Sequence, residues 1–113
     1  MVEITTSIED NIYEILVNGE IDASSSIHLD GALEKAFHDH TRILVNLSDL
    51  KYISSAGLGV FIARLDEIKT NDRKMVLFGL NENVRQVFGI LGLEQLLIIK
   101  ETKEDSVEVL NEA

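Results

Sequence analysis

Apolar positions recur in two rhythms along the chain. Residues 2–8 and 12–17 are rich in β-branched side chains and flank Glu9-Asp10-Asn11, a turn signal, so they predict an antiparallel hairpin. After Asn18-Gly19-Glu20-Ile21-Asp22 leaves the second strand, Ser24, Ser25 and Ser26 offer helix N-caps. Leu29, Leu33, Ala36 and Phe37 then fall at helical spacing and predict a helix to about His40. Residues 43–47 form a short continuous apolar run, the pattern of a strand covered on both faces. Ser54 or Ser55 caps a second helix, with Leu58, Phe61, Ile62, Leu65 and Ile68 on one face and Arg64 and Glu67 elsewhere. Asn71-Asp72 signals a turn, and residues 75–78 read as another buried strand. Asn81 can cap a third helix bearing Val84, Val87, Phe88 and Leu91, with Gly92 as its stop. Residues 96–99 read as a last short strand, and Thr102-Lys103-Glu104-Asp105 resembles a capping box that opens a helix with Val107 and Leu110.

The predicted order is β-β-α-β-α-β-α-β-α. Strands alternating with helices imply right-handed crossovers, so the expected fold is α/β, a small mixed and mostly parallel sheet flanked by helices. In such sheets, ligands and partners favour the loops at the carboxyl ends of the strands. Residues 19–25 and 49–57 form two such loops, and parallel pairing of the second and third strands puts both at one end.

Composition narrows the class. The chain of 113 residues is 45% hydrophobic, enough for one domain with a core, and it has no proline-rich linker, since proline is absent. No apolar run approaches the roughly 18 residues of a membrane span. The start, MVEITTSIED, lacks a basic segment and a long apolar stretch and does not read as a secretory signal. Cysteine is absent, which excludes disulfides and thiolate metal sites and suits a reducing cytoplasm. The net charge is −10, concentrated in residues 1–60, which hold ten acids and three bases. An acidic chain is repelled by phosphate backbones and anionic lipid, so neither nucleic acid nor a membrane is an expected partner, and a basic protein surface suits it better.

Candidate chemistries thin out quickly. Ile53-Ser54-Ser55-Ala56-Gly57 lacks the first glycine of a nucleophile elbow, and His28, His38 and His40 all precede these serines, so a serine hydrolase is not supported. Gly57-Leu58-Gly59 is half of a dinucleotide fingerprint, with Ile62 at the third glycine's place. His38-Asp39-His40 places side chains two apart, which do not share a helix face, so no metal is expected there. Glu101, Glu104, Asp105, Glu108 and Glu112 read as a solvated acidic face, and Asp22 as a turn residue or cap. Two glycines in the first turns of a helix cost about 0.5–1 kcal/mol each relative to alanine, so Gly57 and Gly59 imply exposed backbone or close approach.

Gly19-Glu20-Ile21-Asp22, the run 43–47 and Tyr52-Ile53-Ser54-Ser55-Ala56-Gly57-Leu58-Gly59 together resemble a STAS domain, and more narrowly a bacterial anti-sigma-factor antagonist. The stretch VRQVFGILGL at residues 84–93 resembles the third helix of that family and the Gly-Leu after it. The resemblance covers essentially the whole chain and implies a single STAS domain over residues 1–113. It implies a cytoplasmic binding protein, with no catalytic residue, metal or cofactor. Its partner would be an anti-sigma factor that is also an ATP-dependent serine kinase. Phosphorylation of a serine at the start of the second main helix would abolish binding, and a serine phosphatase would restore it. Registered on Gly57-Leu58-Gly59, the phosphoacceptor falls on Ser55, with Ser54 the second choice, and the family's loop acid falls on Asp22. The implied partner surface comprises Asp22, Ala23, Ser24, Ser54, Ala56 and Gly57. Three positions depart from the family pattern: Ser54 replaces an acid, Ala56 a hydroxyl and Asn46 a strand acid. The same fold also serves as an accessory subunit of lipid transporters and as a scaffold module of signalling assemblies, which are the alternative functions.

Overall fold

The opening hairpin runs further than its apolar pattern. In the computed structural model, which describes residues 2–70 and 72–112, β1 (Val2–Glu9) and β2 (Ile12–Ile21) pair antiparallel from Glu9↔Ile12 to Val2↔Gly19. Asp10 and Asn11 both take positive φ, 53° and 67°. A two-residue hairpin turn needs this left-handed pair to match the twist of its strands, and Asp and Asn tolerate it better than other side chains. The expected strand end at residue 17 is corrected, because the later part of β2 has a neighbour of its own.

That neighbour is an addition to the expected order. α1 (Ser26–Asp39) leads to β3 (Arg42–Asn46), parallel to β2 from Tyr13↔Ile43 to Leu16↔Asn46. The chain then forms β4 (Leu50–Ile53), which pairs parallel with β2 at Gly19↔Leu50, Glu20↔Tyr52 and Ile21↔Ile53. The register slips between Gly19 and Glu20, where Gly19 takes φ 108°. β4 reads buried, exposed, exposed, buried, so it lacks the alternation that marks a half-buried strand in sequence.

The expected second helix is two: α2 (Ser55–Ala63) and α3 (Leu65–Thr70). They break at Arg64, which the apolar spacing puts on the outer side of one continuous helix. Its side chain is only 12% exposed and ties α1 to this junction, donating to Asp30 Oδ1 at 2.9 Å and Glu67 Oε1 at 2.6 Å. Ile62, in the last turn of α2, is exposed, against expectation. Of the Asn71-Asp72 turn signal, Asn71 lies outside the described residues, while Asp72 takes φ 55°. β5 (Lys74–Phe78), α4 (Glu82–Ile90), a 3-10 turn (Leu93–Gln95), β6 (Ile98–Lys100) and α5 (Lys103–Leu110) complete the order. The last strand therefore begins two residues later than its apolar run, and Leu91 is exposed where it was expected to be inward. The caps at Asn81 and Thr102 form as read: Val84 N donates to Asn81 Oδ1 at 2.8 Å and Asp105 N to Thr102 Oγ1 at 3.1 Å.

The strand order is β1-β2-β3-β5-β6, with β4 also on β2. The main core lies under α1, α2 and α4, where Leu29, Leu33, Phe37, Leu58, Phe61 and Phe88 meet Ile15, Val17, Ile43, Val45 and Leu77. The opposite face is covered by α5, whose Leu110 packs with Ile12, Leu44, Val76 and Phe78. Coverage on both faces is why β3 and β5 read as continuous apolar runs. The parallel pairing of β2 with β4 sends their carboxyl ends to one rim of the sheet, where the candidate residues converge.

Candidate functional site

The site starts from a backbone contact. Ile21 ends β2 and Ile53 ends β4; the two are register partners, and Ser54 N donates to Ile21 O at 2.8 Å. The residues that follow each strand, Asp22 on one side and Ser54-Ser55 on the other, therefore leave the sheet side by side.

The β2–α1 loop closes on itself. Asp22 Oδ1 accepts from Ser25 N, Ser25 Oγ and Ser24 Oγ, each at 2.9 Å. In return Asp22 N donates to Ser25 Oγ at 2.9 Å, and Ser26 Oγ donates to Ala23 O at 3.0 Å. Ser25 is 9% exposed and its hydroxyl does not cap α1. The three serines expected as caps thus bind back into the loop, as short polar side chains do in turns. The Ser25 amide foremost, then the Ser24 and Ser25 hydroxyls, lower the Asp22 pKa from 3.8 to about 2. Its carboxylate is therefore anionic throughout the neutral range, while Asp22, Ala23 and Ser24 remain exposed.

The β4–α2 junction divides its two serines. Ser54 has extended backbone, φ −84° and ψ 170°, and is the N-cap; its Oγ accepts from Gly57 N at 3.3 Å. Ser55 is the first residue of α2 and is exposed, and its hydroxyl has no hydrogen-bond partner among the described residues. The first turn of α2 holds no acid, so the positive end of its dipole is not offset by its own sequence. A serine at Ser54, where the resemblance calls for an acid, supplies the cap without the charge.

The glycines also differ. A Cβ on Gly57 would lie 2.7 Å from Ile53 Cγ1 and 2.8 Å from Ile21 Cγ2, so Gly57 lets α2 sit directly on the ends of β2 and β4. It is buried and lies behind Ser54 and Ala56, not on the surface expected of it. Gly59 has open space around its Cβ position. Asn46, the third departure, lies elsewhere: its Nδ2 donates to Glu14 Oε2 at 3.1 Å, and its Oδ1 accepts from Ser48 N and Oγ. A carboxylate there could not make the bond to Glu14. His38 pairs with Asp39 and His40 stacks on Tyr13, with ring centroids 4.2 Å apart. Among the described residues no group of three acids or histidines is placed to hold a metal. Nor does any helix among them have the length and apolar character to cross a membrane.

The structure thus brings together Asp22, Ala23, Ser24, Ser54, Ser55 and Ala56 on one rim. Sequence reasoning gave Ser25 only a capping role and missed that it shapes the loop; its spacing from Asp22, D-x-x-S, carried the signal.

The family model described as the STAS domain matches residues 3–106. The chain belongs to the STAS domain family. It is 34% identical over 102 residues to an anti-sigma-B factor antagonist of Staphylococcus aureus, covering 89% of this chain and 94% of that one. Its fold superposes on an anti-sigma factor antagonist from Mycobacterium paratuberculosis with a TM-score of 0.89 at 17% identity, covering 99% and 96% of the two chains. SpoIIAA, a Bacillus cell fate determinant solved in its phosphorylated form, superposes with a TM-score of 0.70 at 19% identity, over 98% and 100%. As a STAS domain, the chain has the fold that its sequence resembled.

Proposed function

We propose that this STAS domain is an anti-sigma-factor antagonist of the cytoplasm that works by binding and not by catalysis. Unphosphorylated, it binds an anti-sigma factor that is also a serine kinase; phosphorylated on Ser55, it is released, and a serine phosphatase resets it. The observation that carries this reading is the division of labour at the start of α2. Ser54 caps the helix, so the exposed Ser55 hydroxyl is available for modification without loss of that cap. The relative named as an anti-sigma-B factor antagonist supports the partner, and SpoIIAA in its phosphorylated form supports the switch.

The electrostatics give the switch its sign. A phosphoryl group adds about −1.5 to −2 charge at neutral pH. The free amides and dipole at the start of α2 tolerate that charge, so the helix stays folded. The neighbouring Asp22 carboxylate is already anionic. A partner surface that docks on a neutral hydroxyl beside one carboxylate would have to desolvate a second, larger anion. The test is incubation with the cognate serine kinase and ATP, followed by mass mapping. Phosphate is expected on Ser55, and Ser55→Ala should take up none while still binding the kinase. Phosphate on Ser54, or undiminished labelling of Ser55→Ala, would overturn the assignment.

A further inference from the structure

The two edges of the sheet are written differently. β1 is an edge whose side chains are largely polar, with Glu3 and Glu9 near its ends. Charges of this kind keep an edge strand from pairing with other chains. β6 is the opposite edge. Ile99 packs against the main core, so by strand alternation Ile98 faces the α5 side. Apolar side chains on both faces suit a strand inside a sheet, yet β6 has a neighbour on one side only among the described residues. Around it, Ile90 is 82% exposed, Leu96 54%, Leu91 50% and Ile98 41%. The buried Leu93 and Leu97 anchor the turn that holds these residues outward.

We propose that β6 and the surrounding Ile90, Leu91, Leu96 and Ile98 form an interface with a second copy of this chain, the two β6 strands pairing antiparallel across a two-fold axis. Charge selects the occupant. Two chains of net charge −10 repel, and residues 86–99 hold a single charged side chain, Glu94. This near-neutral stretch lets two copies approach, whereas a basic partner would be drawn to the acidic surfaces elsewhere. A two-fold contact presents the same surface twice, so it needs a self-complementary register. Pairing centred on Ile99, the middle of β6, sets Ile99 against its own copy and Ile98 against Lys100, with no acid facing an acid. Pairing centred on Lys100 would set two lysines together, which is unfavourable. α4 runs back from the rim that carries Ser55, so the patch beyond its end lies toward the other end of the sheet.

The test uses the purified chain alone, so its outcome is separate from that of the kinase assay. Sedimentation equilibrium from about 1 to about 200 μM spans the weak range expected of a small interface. The mass should rise from 12.6 kDa toward twice that value. Added salt should strengthen association, because it screens the repulsion between the chains and leaves apolar contact intact. Ile90→Glu and Leu96→Glu alter exposed side chains; each should keep the wild-type melting temperature and weaken association at least tenfold. Phosphorylated protein should associate as the unmodified protein does. A wild-type mass of one chain across the whole range would overturn the proposal. So would a dimer unchanged in both glutamate variants, which would place the contact on another face.

Discussion

Two segments leave the same rim of the sheet, and both are rich in serine, yet they are built to opposite ends. The β2–α1 loop turns its polar groups onto one another: Asp22 Oδ1 takes three hydrogen bonds and Ser25 sits in the interior of the loop. The β4–α2 junction uses one serine for its cap and leaves the next exposed. A loop whose polar groups are satisfied internally presents a constant surface. A helix start with an unengaged hydroxyl presents one that chemistry can change. The pairing of Ile21 with Ile53 keeps the constant and the changeable parts in register.

The sharpest way to break this arrangement is Gly57→Ala. The added methyl would press on Ile53 and Ile21, both buried, and lift α2 off the strand ends. Overpacking of this kind costs about 1–3 kcal/mol. At roughly 4–8 °C per kcal/mol in a domain of this size, a thermal melt should show the loss plainly. Gly59→Ala, two residues on, is the control: with open space around it, the change should stabilise the domain.

Ser54→Ala tests which serine caps α2 and should cost about 1 kcal/mol in chemical denaturation. Ser55→Ala should leave the unfolding midpoint nearly unchanged. Equal losses in the two variants would mean that both hydroxyls support the helix, and the contrast between them would fail. Gly59→Ala should raise stability by about 0.5–1 kcal/mol, the gain of alanine over glycine within a helix.

The smallest effect concerns Asp22. Its pKa falls from 3.8 to about 2 on folding, so its contribution is fully present above pH 3.8 and is lost as pH drops through about 2. The denaturation midpoint of Asp22→Asn should therefore lie below that of the wild type at pH 6, and the gap should close between pH 3.8 and about 2. A gap that stays constant over this interval would mean that the carboxylate's charge does not hold the loop.

Much of the fold was legible in the sequence where its cause is local. Asp10-Asn11 marked a tight turn, and Asn81 and Thr102 marked helix starts, because an amide three residues away is within reach of the same side chain wherever the helix is placed. The runs in β3 and β5 were legible because coverage on both faces requires unbroken apolar sequence. β4 was not, since Lys51 and Tyr52 are both exposed and its identity as a strand depends on β2 accepting it after a slip at Gly19. The inward turn of the Arg64 side chain was equally hidden, because its partner Asp30 lies on another helix.

The same boundary runs through the site. The sequence by itself determined that serines and glycines cluster before an apolar helix, and that an acid and further serines follow an earlier strand. It left open which serine was the cap, and gave Gly57 and Gly59 the same meaning. Only the tertiary structure separated them: Ser54 N is held by Ile21 O, which orients the Ser54 side chain to cap and turns Ser55 to solvent. Gly57 faces two buried isoleucines from different strands, while Gly59 faces open space. Residues far apart in the chain meet only through strand pairing, and strand pairing depends on the whole sheet, not on any short window of sequence.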